Sequence, residues 1–532
     1  RDFGPDWQFM TIILTSAAYV KEELRNEFGL VPPCFLPIGN RPLIHWQRQL
    51  LETARKGERT IVSLPEEFEL TDLHLKYIGT AEIVRVPNNL SLAESLMYVI
   101  NVSNSRDGEI TVIHGDTLVD SLPDKSDFLG VAESLDGYDW DELSTKDDGA
   151  PEVWCGVFSF QDGGQLVRSL AIAGSDFRQA IENYSESRKL AINHFDDWWD
   201  CGHLNTYLRA KTRITTQRAF NNLIIEAGYV TKSSADLIKM RREACWYDSL
   251  PLDAKPFAPA LYGSDESKGV YWLEYLPFSS LADIFVFGRQ DKTYWLRILN
   301  FYREWFKLST AAADTSLLDA AYKRRNELIV AKTAQRLEAL QDGLGINPKM
   351  PLSLNGVKLP SLESITEHLV REALSKPVIP GILHGDLCFS NTLVDNRNSR
   401  IRVLDPRGAD NVEQLIGDIT YDVAKILHSA IGYYDLILAG AFSVSYNHNG
   451  ATYNLNLNVG NAHQTVKDQF LNYQLLPGSQ SLAFDAVPTM ILLFLTMPPL
   501  HKDNPDRQAA LLANGLRLYN EYYGTKSNGD SK

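Results

Sequence analysis

Along the first part of the chain, short apolar runs alternate with segments of helical spacing. Residues 11–15 (Thr-Ile-Ile-Leu-Thr), 60–65 (Thr-Ile-Val-Ser-Leu-Pro), 81–87 and 109–114 are brief runs rich in β-branched residues, and they read as buried strands rather than helices. Between them lie a polar helical stretch at 21–28, a helix near 45–55, and a helix opening at Ser91, where Ser91 and Glu94 form a capping-box pattern. Strands alternating with helices predict a doubly wound α/β domain, with ligands at the carboxyl ends of its strands. The fourth run continues directly into a carboxylate, Asp116.

Beyond a junction at 211–218 the pattern changes. Residues 219–234 give two short strands around Gly228, 235–250 has helical spacing, and 269–277 is an aromatic and apolar strand. Residues 283–378 are helical in pattern, broken by a loop at 343–360. Residues 443–457 alternate as a hairpin would. The run 487–500 has prolines at both ends, is too short to cross a bilayer, and reads as a buried helix. The polar segment 524–532 is expected to fray.

The densest chemistry lies in Gly381-Ile-Leu-His-Gly-Asp-Leu-Cys-Phe-Ser-Asn391, followed by a β-rich run that ends in Asp405. Phosphoryl transfer needs one carboxylate to accept the proton of an attacking hydroxyl. It also needs an amide oxygen and a second carboxylate to hold the magnesium that bridges the nucleotide phosphates. Asp386, Asn391 and Asp405 supply these types in that order.

Composition narrows the partners. Hydrophobic residues make up 44% and charged residues 22%, so little of the chain is expected to be disordered. A net charge of −15 argues against nucleic acid as a partner, though not against nucleotides. The five cysteines are scattered, include no Cys-x-x-Cys, and read as reduced thiols of a cytoplasmic protein. Residues 1–9 are polar and aromatic and do not read as a signal peptide, and no membrane insertion is expected.

The His384-Gly385-Asp386 loop with Asn391 and the later Asp405 resembles the aminoglycoside phosphotransferase and choline kinase family, whose relationship to protein kinases implies a bilobal α+β fold. That resemblance implies Asp386 as the catalytic base and Asn391 and Asp405 as magnesium ligands. It further implies Lys232 as the lysine on the α/β-phosphates, with Glu243 as its ion-pair partner, and a hinge at 269–277 whose backbone around Glu274 and Leu276 meets the adenine of ATP. The segment 417–428 resembles the family's Gly-Asp-x-x-x-Asp-Leu-Ala helix, in which Asp422 braces the catalytic loop.

The first part resembles a sugar-phosphate nucleotidylyltransferase. Residues 35–44 (Phe-Leu-Pro-Ile-Gly-Asn-Arg-Pro-Leu-Ile), 114–120 (His-Gly-Asp-Thr-Leu-Val-Asp), 154–160 and 198–207 (Trp-Trp-Asp-Cys-Gly-His-Leu-Asn-Thr-Tyr) match its motifs in order. This implies a Rossmann-like, nucleotide-diphospho-sugar transferase-like domain in which Asp116 and Asp200 bind magnesium. Two departures stand out. The phosphate loop, 15–24, has no glycine, and the family's lysine is Cys34. Lys21 or Arg25 must then supply the cationic contact. The boundaries expected are 10–212 for this domain, 219–282 for a kinase small lobe with hinge, and 283–523 for a large lobe with a helical insert on the substrate side. Together the resemblances imply a bifunctional enzyme of bacterial capsule or surface-glycan synthesis. It would phosphorylate a small alcohol (a sugar, polyol or amino alcohol) with ATP, then couple the product to a second nucleoside triphosphate, CTP among the candidates. The alternative is a small-molecule kinase whose degenerate first domain only binds a nucleotide or nucleotide sugar.

Overall fold

In the first unit of the chain the expected strands assemble into one eight-stranded sheet. The computed structural model describes residues 10–134, 136–138, 140–144, 151–214, 222–226, 228–311, 317–479 and 481–524. The expectations for 1–9 and 525–532, and for most of the junction at 215–221, lie outside these residues. The chain divides into two units, Arg1–Thr216 with Phe287–Arg289, and Gln217–Val286 with Gln290–Lys532.

In the first unit the sheet runs Ala191–His194, Phe128–Glu133, Glu152–Phe160, Ile110–His114, Thr11–Thr15, Arg59–Pro65, Glu82–Val86, with Glu142–Ser144 added to Glu152–Phe160. Thr11–Thr15 is parallel to both of its neighbours, while Glu152–Phe160 is antiparallel to both of its path neighbours. The doubly wound expectation therefore holds for the central parallel strands, with one reversed strand inserted beside them. The central strands are buried on both faces, and on one of them Ile13, Ile61 and Val112 pack with Ala93, Leu96, Val99 and Ile100 of the helix Leu92–Val102. Ser91 and Glu94 form the reciprocal capping box that starts this helix, at 3.3 and 2.8 Å. A separate pair, Thr117–Val119 with Trp198–Asp200, joins two distant segments antiparallel and sets Thr117 opposite Asp200.

The second unit opens with an antiparallel sheet ordered Asn222–Glu226, Tyr229–Ser233, Val270–Glu274, Leu261–Asp265, beside the helix Leu237–Ser249. A mainly helical part follows. Its buried centre is the helix Thr420–Ala430, every residue of which is buried, packed against the apolar helix Leu482–Thr496. Two short pairings hold the loops between them: Thr392–Asp395 with Arg400–Val403, and Pro380–Ile382 with Ile416–Asp418.

The broken stretch at 343–360 corrects the sequence reading. It holds a hairpin, Pro351–Leu354 with Val357–Ser361, turned at Asn355 and Gly356, whose φ values are 48° and 80°. That dipeptide suits a two-residue hairpin turn because both positions need positive φ. The hairpin joins Phe442–Asn447 and Thr452–Leu457, the alternating segment, in a four-stranded sheet. Among the described residues no helix is long and apolar enough to cross a membrane, and all five cysteines are free.

Candidate active sites

In the second unit the buried Lys232 lies on the strand Tyr229–Ser233, and the buried Glu243 on the helix that follows. Lys232 Nζ donates to Glu243 Oε2 at 2.7 Å and to Asp405 Oδ1 at 2.8 Å. Tyr271, paired with Lys232 across the sheet, donates its hydroxyl to the same Glu243 oxygen at 2.6 Å. Burial disfavours the Lys232 charge, but Asp405 and Glu243 outweigh it and raise its pKa. Asp405 has φ +56°, a strained conformation for a non-glycine residue, and its N–H donates to the Tyr247 hydroxyl at 3.2 Å. Three residues from three separate segments thus meet at one ammonium group.

The loop at 384–391 is held by a buried carboxylate. Asp422 in the first turn of Thr420–Ala430 accepts the N–H groups of His384 (2.7 Å) and Gly385 (2.8 Å). Burial pushes its carboxyl up to about 7, against the pull of those two donors. Asn391 donates its amide nitrogen to the Asp386 backbone carbonyl at 2.9 Å, which orients the amide oxygen the other way.

Asp386 itself is clasped by two cations that sequence reasoning passed over. Lys425 Nζ lies 2.9 Å from Oδ1, and Arg407 Nη2 donates to Oδ2 at 2.6 Å. Burial opposes its ionisation, but Lys425 and Arg407 outweigh burial and hold its carboxyl well below the usual range. Both partners had a signal in the sequence: Lys425 is one helical turn beyond Asp422, and Arg407 follows Asp405-Pro406 directly.

At the hinge the Glu274 side chain is occupied elsewhere. It pairs with Arg402 at 2.7 Å and accepts the Ala260 N–H at 3.2 Å. The Tyr275 N–H donates to Gly228. The Leu276 N–H has no hydrogen-bond partner among the described residues, so the backbone of this segment, not the Glu274 carboxylate, is what a base can use.

In the first unit the pair Thr117–Val119 with Trp198–Asp200 brings Asp116 and Asp200 together. A Cβ built on Gly202 would stand 2.6 Å from Asp116 Oδ2 and 3.2 Å from Asp200 Oδ1, so only glycine leaves the two carboxylates room to converge. Asp200 accepts from Gly202 N (3.1 Å) and Thr206 Oγ1 (2.5 Å), and its Oδ2 lies 2.8 Å from His203 Nδ1. His203 is the N-cap residue of the helix Leu204–Arg213, and Asp200 lies outside that helix. Burial, then the nearby Asp200 charge, push Asp116 up to about 6.

Lys21 and Arg25 are both exposed, at the N-cap and in the last turn of the seven-residue helix Glu22–Phe28. The structure ties neither to Asp116. Cys34 is wholly buried, its N–H bonded to Ser16 Oγ at 3.0 Å, and burial pushes its thiol up to about 12. A neutral thiol there cannot replace a phosphate-binding lysine.

Both sites fit magnesium by donor type. Asp116 with Asp200, and Asn391 with Asp405, offer hard oxygen ligands, and the repelling carboxylates around Gly202 are relieved by a cation. Among the described residues no group of three or more His, Cys, Asp or Glu side chains forms a complete metal cage. Two protein ligands with phosphate and water completing the shell suit this ion.

No protein-family model matches the chain, and no curated protein matches it. Solved structures do. A nucleoside-diphosphate-sugar pyrophosphorylase from Vibrio cholerae RC9 is 14% identical over 38% of this chain and 100% of its own, with a TM-score of 0.32. The inositol-1-phosphate CTP transferase from T. maritima is 16% identical over 40% of this chain and 98% of its own, with a TM-score of 0.30. A choline/ethanolamine kinase family protein from Mesorhizobium loti is 14% identical over 57% of this chain and 86% of its own, with a TM-score of 0.31.

Proposed function

We propose that the chain is a bifunctional transferase of the cytoplasm. Residues 219–523 phosphorylate a small alcohol with ATP. Residues 10–212 couple the phosphorylated product to a nucleoside monophosphate, releasing pyrophosphate and giving a nucleotide-activated precursor of a surface polysaccharide. The observation that carries the kinase half is the convergence of Lys232, Glu243 and Asp405 beside a loop that presents Asp386 and Asn391.

In this reading Lys232 meets the α- and β-phosphates, and Glu243 and Tyr271 keep it there. Asp386 orients the acceptor hydroxyl and takes its proton as the new O–P bond forms. Asp422 holds the loop so that this carboxylate does not drift. Magnesium, when bound at Asn391 and Asp405, neutralises phosphate charge. In the first unit Asp116 and Asp200 would hold a second magnesium, which would offset the charge as a phosphate approaches the triphosphate.

A second reading is favoured by one observation. The buried, neutral Cys34 and the glycine-free loop deprive the first unit of its expected phosphate contacts. Under it the first unit binds a nucleotide or nucleotide sugar without turnover.

The kinase half is tested by ADP release with magnesium, ATP and a panel of alcohols. Asp386→Asn should cut turnover by roughly 10²-fold or more while nucleotide still binds. Turnover at the wild-type rate in that variant removes Asp386 from the role.

A further inference from the structure

Beside the catalytic loop of the second unit is a cavity of about 200 Å³ lined by cations. Lys332, Arg324 and Leu328 line it from the helical insert, His384 and Gly385 from the loop that carries Asp386, and Arg407 from the segment after Asp405. None of Lys232, Asn391 and Asp405, the groups assigned to the nucleotide and its metal, lines it.

The charge balance around this cavity is incomplete. Arg324 pairs with Glu327 at 3.1 Å, and Arg242, also on the lining, with Asp410 at 2.6 Å. Arg407 and Lys425 share one carboxylate, Asp386. Lys332 and Arg336, one turn apart on the helix Lys332–Leu344 and both half-buried, have no ion-pair partner among the described residues. Burial, then the charges of Arg336, Arg407 and Lys425, push the Lys332 ammonium down to about 7. A π-helical turn, Glu327–Ala331, leads directly into Lys332, and such turns recur at functional sites. Crowding four cations around one carboxylate is unfavourable unless an anion joins them.

We infer that the acceptor alcohol carries an anionic group, a carboxylate or a phosphate, which Lys332 and Arg407 receive in this cavity, with the charge of Arg336, one turn beyond Lys332 and outside the lining, adding to the field there. The inference rests on the kinase reading and narrows its substrate class away from amino alcohols. It also gives Arg407 a task. When the acceptor's anion engages Arg407, Asp386 Oδ2 is released to accept the hydroxyl proton. The acceptor oxygen then bonds to the γ-phosphorus, the bond from that phosphorus to the β,γ-bridging oxygen breaks, and ADP leaves with the electron pair.

The test is calorimetric, on the full chain saturated with magnesium and a non-hydrolysable ATP analogue, so that the γ-phosphate position is already filled. Glycerate, gluconate, glycerol 3-phosphate and glucose 6-phosphate are titrated against glycerol, glucose and ethanolamine. At least one anionic alcohol should bind at least tenfold tighter than its neutral counterpart. Lys332→Met should weaken it by roughly tenfold or more, as loss of a charge-assisted contact does. Arg336→Gln serves as the second variant if the first does not fold. Binding by the hydroxy acids alone assigns a carboxylate, and binding by the phosphate esters alone assigns a phosphate. If no anion exceeds its neutral counterpart, if ethanolamine binds tightest, or if the folded variants leave affinity unchanged, the inference is overturned and the kinase reading stands. If the ATP analogue itself does not bind, the kinase reading fails and the inference fails with it.

Discussion

Asp405 accepts the Lys232 ammonium in this structure and is also a ligand for magnesium in the proposed reaction. Its removal should therefore act on nucleotide binding before chemistry. Asp405→Ala is expected to weaken Mg-nucleotide affinity at least tenfold by titration; unchanged affinity with lost turnover would assign it to the chemical step instead. Asp116 gives a pH dependence with a definite sign. Its folded pKa of about 6 lies above the ordinary carboxylate value. The stability it contributes is thus present at low pH and lost as pH rises through 6. Magnesium reverses the preference, because the proton must leave before the metal enters. Magnesium affinity at the first unit should fall below pH 6, by up to about tenfold per pH unit, and stay flat above pH 7. A profile flat from pH 5 to 8 would take Asp116 out of the metal site. At this scale the sequence was most readable where chemistry is local in the chain. Asp386, Asn391 and Asp405 announce themselves by spacing. Lys332 and Arg336 do not, because only tertiary packing brings the insert to the loop. In a helix of ordinary charge they read as solvated residues.

At the scale of elements, the loop after Asp405 and the helix bearing Glu243 are matched by a single glycine. Gly408 has φ +59°, and a Cβ there would lie 1.9 Å from the Arg242 carbonyl oxygen, on the residue before Glu243. Nothing at that distance can be accommodated without moving helix or loop. Gly408→Ala should therefore lower the melting temperature and weaken nucleotide binding together, since Glu243 and Asp405 would no longer meet Lys232. A variant with lower stability but unchanged nucleotide affinity would show that the contact is structural only. Hydrophobic period made the strands of the first unit legible, and the capping box at Ser91 fixed a helix start. The hairpin Pro351–Leu354 with Val357–Ser361 was missed although Asn355-Gly356 marks its turn. Its strands are short and carry Lys358 and two prolines, which weakens alternation. The reversed strand Glu152–Phe160 is a further limit: residue pattern gives a strand's existence and says little about its direction.

On the scale of the whole molecule, the proposed function gives each of the two units its own pair of oxygen ligands for one metal and one nucleotide, with separate residues for each chemistry. The order of the motifs is what suggests that division in the sequence. Whether the first unit turns over was less legible, because the glycine-free loop and Cys34 remove the usual signals while Asp116 and Asp200 remain. The most direct measurement follows phosphorus in one tube containing protein, magnesium, ATP, a second nucleoside triphosphate and the acceptor alcohol. Phosphorus NMR should record ADP and the phosphorylated alcohol first, then pyrophosphate and a nucleoside diphosphate ester. Asp116→Ala and Asp200→Ala should each stop pyrophosphate while leaving ADP release unchanged. Asp386→Asn should stop both, with pyrophosphate restored when the phosphorylated alcohol is supplied. ADP formation without pyrophosphate, across all the triphosphates and phosphorylated alcohols offered, would contradict the two-step account and leave a kinase joined to a nucleotide-binding unit.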